Sequence, residues 1–147
     1  MITATLVGLV KRWEGFRADA YDDRKQYTNG FGTRARSMAE RITREEAEGR
    51  MAVALDRADR ALGKVFTAGE LAKMGQVRRD CLTSMIYQMG PGRDGFGGFY
   101  EMQSALRAGH WERAAREALR SEWARQTRDR AEEVAAMIES GEYGLDV

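Results

Sequence analysis

The sequence predicts an α+β fold that is mainly helical, with a small lobe near the start joined by a long helix to a helical lobe. Three observations carry this. Apolar residues recur at helical spacing through most of the chain after position 43. Residues 17–32 are instead rich in Tyr, Thr, Phe, Asp, Asn and Gly, the composition of short strands and tight turns. The 147 residues, 43% hydrophobic, are one domain's worth and enough to fold without a disulfide or a metal.

Each element follows from local signals. Thr3 can cap a first helix running to about Trp13, with Leu6, Leu9, Val10 and Trp13 on one face. Segment 17–32 then gives short strands, and "TNGFG" suits a strand with tight backbone approach. Thr43 and Glu46 form a capping box, with Ile42 and Ala47 as the staple, ahead of a helix over about 44–62. Ala47, Met51, Ala54, Leu55, Ala58 and Leu62 mark its apolar face. Gly63 is expected to end it as a left-handed residue. "TAGELAKMG" repeats the Thr-x-x-Glu cap from Thr67, and "QVRRDCLTSMIYQMG" is a more apolar helix that stops at Gly90. The loop "PGRDGFGG" holds the only proline. Helices over 99–107 and 110–120, a piece around Trp123, and a last helix that Thr127 can cap complete the chain. There is no fixed-period repeat and no flexible linker. The expected division is one domain over 1–147: a small lobe at about 14–43, a joining helix at about 44–62, and a helical lobe at about 64–147 that includes helix 3–13.

Composition narrows the chemistry. A net charge of +1 gives no strong field for nucleic acid. Residues 9–36 carry seven Lys or Arg against four Asp or Glu, a mildly basic stretch suited to a polyanion such as a cell wall. Cys81 is the only cysteine and sits among apolar residues, so it reads as a buried inert thiol. His110 is the only histidine and reads as the start of a surface helix, which argues against Ser-His or Cys-His catalysis. Trp111 and Trp123 read as core, and the eight methionines as core filler. No cofactor or metal is implied. "ITATLVGLV" is short for a membrane span, lacks a preceding basic run and passes directly into "KRWEGF". The expectation is therefore a protein made in a cytoplasm, without stable membrane association.

The remaining signal lies in "EGFRADAYDDRKQYTNGFGT", residues 14–33. Glu14 falls where the first helix ends, Asp23 nine residues later and Thr28 five after that. A helix end leading into a hairpin can set Glu14 and Asp23 on opposite sides of a groove. Two carboxylates across a sugar are what glycosidic cleavage needs, one to protonate the leaving oxygen and the other to stabilise charge or order water. A threonine hydroxyl can hold that water, because it both donates and accepts. Taken alone, such residues also serve simply to solvate a turn.

The ordering of motifs adds a resemblance. "WEGFRADAYDDRKQYTNGFG" resembles the catalytic segment of the T-even phage lysozyme family, glycoside hydrolase family 24: Glu-Gly at a helix end, then Asp, then Thr-x-Gly-x-Gly. "ITREEAEGRM" is similar to that family's inter-lobe helix. "MIYQMG" with the glycine loop and "GF" after it resembles its central helix, and "HWERAAREALRSEWARQTRDRAEEVAAMIESGEY" its C-terminal helices. Single motifs are weak, but the set covers nearly the whole chain in order.

The resemblance implies a lysozyme-like two-lobed fold and an inverting muramidase acting on peptidoglycan. Glu14 would be the general acid, Asp23 the second carboxylate and Thr28 the residue that positions water. Gly30, Phe31 and Gly32 would border the sugar. Gln88, Met89, Gly90 and Thr127 would line the cleft from the helical lobe, and Arg130 would face the catalytic glutamate. It further implies a monomer held in the host cytoplasm and admitted to the wall by a holin-type membrane permeabiliser. The sequence also departs from the pattern. Asp23 and Thr28 stand one residue closer than in the best-known members, so Asp22 or Asp19 could share the role. Thr33 replaces a histidine, and segment 33–41 is much shorter than usual, which implies a trimmed small lobe. A lytic transglycosylase, or an inactive wall-binding or virion protein with this fold, is the competing reading.

Overall fold

The computed structural model describes residues 2–144. Among these, seven α-helices and a three-stranded antiparallel sheet give the expected α+β, mainly helical, lysozyme-like fold. The chain divides into two compact units, residues 1–59 and 60–147.

In the first unit, helix α1 (Ala4–Glu14) is capped by Thr3, whose hydroxyl accepts from the Leu6 N–H at 3.0 Å. Leu6, Leu9 and Val10 are buried, as the periodicity predicts. Gly15, at φ 67°, turns the chain out of the helix, its N–H bonding the Lys11 carbonyl. Strands β1 (Arg17–Asp22), β2 (Tyr27–Gly30) and β3 (Thr33–Arg34) follow, in the order β1-β2-β3. A register shift between Arg17 and Tyr21 sets Tyr21 opposite Thr28, and Arg34 lies opposite Thr28 on its other side.

The short segment after β3 then returns along the outer side of β1. Ala20 N–H donates to the Glu40 carbonyl, Ile42 N–H donates to Ala18, and Asp19 and Arg41 form an isolated bridge. Side chains fix this return. Arg50 grips Glu40 through two hydrogen bonds of 2.7 and 2.8 Å, and the Asn29 amide and Arg36 N–H also donate to Glu40. The Arg50 bonds outweigh desolvation and, with the other two donors, hold the Glu40 carboxyl down at about 2. Helix α2 (Arg44–Leu62) opens on the predicted capping box, with reciprocal Thr43–Glu46 bonds of 3.0 and 3.1 Å. A Cβ on Gly30 would lie 3.0 Å from Ile42 Cδ1 and 3.1 Å from Ala47 Cβ, so that glycine seats the staple pair.

The boundary between units falls inside α2, after Asp59. Gly63 does not adopt the expected left-handed conformation. The helix instead tightens into i+3 turns, with Gly63 N–H bonding Arg60 O and Lys64 N–H bonding Ala61 O, which leaves no need for positive φ. Helix α3 (Ala68–Met89) begins with the second capping box, Thr67 with Glu70, and is broken at Gly75 (φ 83°, ψ 169°). That break separates the two segments read from the sequence. Gly90 (φ 83°) ends it, and a 3-10 turn at Phe96–Gly98 leads on.

Helices α4 (Tyr100–Ala108), α5 (Trp111–Leu119), α6 (Glu122–Gln126) and α7 (Arg128–Ser140) complete this unit. Helix α5 packs on α4 and α7, and α7 also meets α3 and α6. Leu82, Met85, Phe96, Met102, Leu106, Val134 and Ile138 are buried here. Cys81 is buried as well, and desolvation pushes its thiol far above the ordinary range. Trp111 is covered by the Arg78 guanidinium at 4.1 Å, while Arg78 Nε donates to the Ile138 carbonyl at 2.6 Å.

Candidate active site

Glu14 is the last residue of α1 and is half-buried. The turn between β2 and β3 lies against its carboxyl group. A Cβ on Gly32 would stand 2.6 Å from Glu14 Oε1 and 3.0 Å from Cδ, and Gly32 has φ 83°. Only glycine suits this position on both counts. Phe31, in the same turn, is 1% exposed. Its ring meets Phe16 at 5.7 Å and has Lys11 and Arg44 within 6 Å, so it packs the hairpin.

Asp23 organises the opposite end of β2. Its N–H donates to the Gln26 carbonyl, and its Oδ1 accepts the N–H groups of Lys25 (3.1 Å) and Gln26 (3.0 Å). Its Oδ2 accepts the Thr28 hydroxyl at 2.6 Å. Desolvation opposes the charge on Asp23. The bonds from Thr28, Gln26 and Lys25, with the Lys25 ammonium nearby, overcome it and hold the carboxyl below its ordinary value. Thr28 is 2% exposed, and its oxygen also accepts from the Gln26 amide at 3.2 Å.

The other two aspartates are engaged elsewhere. Asp19 is held by Arg41 through two 2.8 Å bonds, and Asp22 Oδ1 accepts the Arg24 N–H at 2.8 Å. Asp23 is thus the aspartate that the fold joins to Thr28. Gln26 is a participant that sequence reading missed. Its one available signal was a polar side chain two residues before Thr28, in the turn that leads into β2.

In the second unit two of the expected residues, Gln88 and Thr127, bond Trp123, which is 7% exposed. Gln88 Oε1 accepts from Trp123 Nε1 at 2.7 Å, and the Thr127 hydroxyl donates to the Trp123 carbonyl at 2.9 Å. Thr127 therefore occupies the N-cap position of α7 without capping it, because its hydroxyl is turned back one helical turn. Met89 and Gly90 close α3, and Gly90 N–H bonds the Ile86 carbonyl. Arg130 is 8% exposed and donates to the Ser84 carbonyl at 3.3 Å. His110 is exposed at the start of α5. Among the described residues, no group of three or more His, Cys, Asp or Glu is placed to hold a metal ion.

A family model described as phage lysozyme matches residues 11–138, which is most of the chain. The chain belongs to the phage lysozyme family. The match takes in Glu14, Asp23, Thr28 and every other site residue named above. Membership makes this a phage lysozyme or endolysin, and the family's substrate is the peptidoglycan of the bacterial cell wall. No curated protein matches the chain. Among the described residues, no helix is long and apolar enough to cross a membrane.

Proposed function

We propose that this lysozyme hydrolyses the β-1,4 bond between N-acetylmuramic acid and N-acetylglucosamine by a single displacement with inversion. The observation that carries the reading is the 2.6 Å bond from Thr28 to Asp23. The Thr28 proton is committed to Asp23 and one of its lone pairs to Gln26, which leaves the hydroxyl an acceptor towards water. A water donating to both Thr28 Oγ1 and Asp23 Oδ2 is aligned by one and deprotonated by the other. It attacks the anomeric carbon as the bond to the leaving oxygen breaks. Glu14 supplies the proton that the leaving oxygen takes, and Asp23 receives the proton the water loses. This chemistry needs the two carboxyl groups roughly 6.5–9.5 Å apart to admit the water.

Gln88, Met89, Gly90, Thr127 and Arg130 are proposed as glycan contacts. The protein is proposed to act as a monomer, to accumulate in the host cytoplasm and to reach the wall in the periplasm when a holin-type partner permeabilises the membrane. The test is clearing of outer-membrane-permeabilised Gram-negative cells by purified protein. Glu14→Gln is expected to reduce clearing by about 10²–10⁴-fold while keeping wall binding. Early products should carry reducing muramic ends of α configuration. Anhydro-muramic ends would replace the hydrolase with a lytic transglycosylase. Binding without turnover by the wild type would make this a wall-binding protein.

A further inference from the structure

A hollow of about 420 Å³ opens beside the β1–β2 turn, lined by that turn and by the stretch from Arg34 to Arg36. Four cations border it: Arg24, Lys25, Arg34 and Arg36. Asp22 is the only carboxylate among its lining residues, and one Asp22 oxygen already accepts the Arg24 N–H. Of the four cations, only Arg36 has a carboxylate within ion-pair distance among the described residues. That contact, to Glu40 at 3.8 Å, is loose, because both Glu40 oxygens are bonded by Arg50. Gathering like charges around one concavity is unfavourable unless something anionic enters it.

The backbone makes the same point. Arg24 has φ 79° and is the one non-glycine residue with positive φ among the described residues. Glycine or asparagine is the ordinary occupant of that conformation, so an arginine there runs against local preference and sets a cation on the rim.

The hollow adjoins the reacting pair. Lys25 and Gln26, which line it, are the residues whose N–H groups hold Asp23. Arg34 is the cross-strand partner of Thr28, and directly opposed residues on antiparallel strands project from the same face. An anion in the hollow therefore borders the turn that holds Asp23 and the strand pair that carries Thr28. In peptidoglycan each muramic acid bears a stem peptide with free carboxylates, which guanidinium groups bind through charge-assisted hydrogen bonds. Tyr27, 45% exposed, supplies an apolar wall for the peptide.

We propose that this hollow is a subsite for the stem-peptide carboxylates of the substrate, a role that rests on the muramidase reading above. The test compares wild type with the double variant Arg24→Asn, Arg34→Gln, in which asparagine keeps the left-handed turn. On peptide-bearing glycan strands the variant is expected to lose about tenfold in kcat/KM, through KM. On strands stripped of peptide by an amidase, the two proteins are expected to be equal. Equal loss on both substrates, or no loss on either, would overturn the proposal.

A second arm uses Glu14→Gln protein sedimented with intact sacculi, with sacculi whose carboxylates have been amidated, and with sacculi freed of phosphate-bearing polymers. Weaker binding after amidation supports the subsite. Binding weakened only by phosphate removal assigns the hollow to another polymer and overturns it. This arm needs no turnover. Absence of cleavage by the wild type would defeat the muramidase reading, while sedimentation would still decide what the hollow binds.

Discussion

Asp23 accepts three hydrogen bonds through two oxygens, and each is stronger when the carboxyl is ionised. Thr28→Val removes one of these bonds, so the Asp23 carboxyl rises towards its ordinary value. If Asp23 is the base, the acid limb of the kcat/KM profile moves to higher pH, and kcat falls by about 10²-fold. A limb that stays in place would separate Thr28 from the titration of Asp23. Gly32→Ala tests the other carboxylate. The added methyl meets Glu14 Oε1 and must adopt positive φ, so a loss of about 1–3 kcal/mol is expected in denaturant melts, together with reduced lysis. Sequence alone left Asp19, Asp22 and Asp23 in competition, since all three lie within five positions. Which of them meets Thr28 depends on the register shift in β1 and on Arg41 capturing Asp19, and neither leaves a local trace.

Helix starts were legible for the opposite reason. In the boxes at Thr43 and Thr67 a side chain bonds a backbone group three residues away, so a short window holds the whole interaction. Thr127 has the right residue type, but its hydroxyl found an acceptor in the preceding helix, the carbonyl of Trp123. The Glu40–Arg50–Asn29 network was invisible in the sequence, because its members come from a return segment, a helix and a strand. It has a measurable signature in acid. A carboxyl held below its ordinary value stabilises the folded state fully above that value, here 4.5, and the contribution fades as pH falls to about 2. Glu40→Gln is therefore expected to lower Tm near neutrality and to flatten its fall between pH 4.5 and about 2. Identical Tm curves for variant and wild type would show that the network contributes nothing to stability.

The fold class and the family were readable because motifs recur in order along 11–138. What the sequence could not supply was how so short a connection as 33–41 completes the first unit. Cooperative integrity can be probed through Cys81, which is 3% exposed with its thiol pushed far up by burial. A disulfide reagent is expected to label it about 10³-fold or more slowly than an unfolded thiol, and to accelerate with denaturant in step with unfolding. Fast labelling in native buffer would reveal local opening around α3.

The return segment also has a consequence for solubility. A strand with unpaired N–H and C=O groups on its flank is a template for other chains. Here residues 40–42 cover the outer flank of β1, and β3, the remaining border, is two residues long and carries Arg34. The sheet thus offers a second molecule almost nothing to extend. Lengthening β3 by an apolar insertion would be the change that turns this protein towards edge-to-edge aggregation.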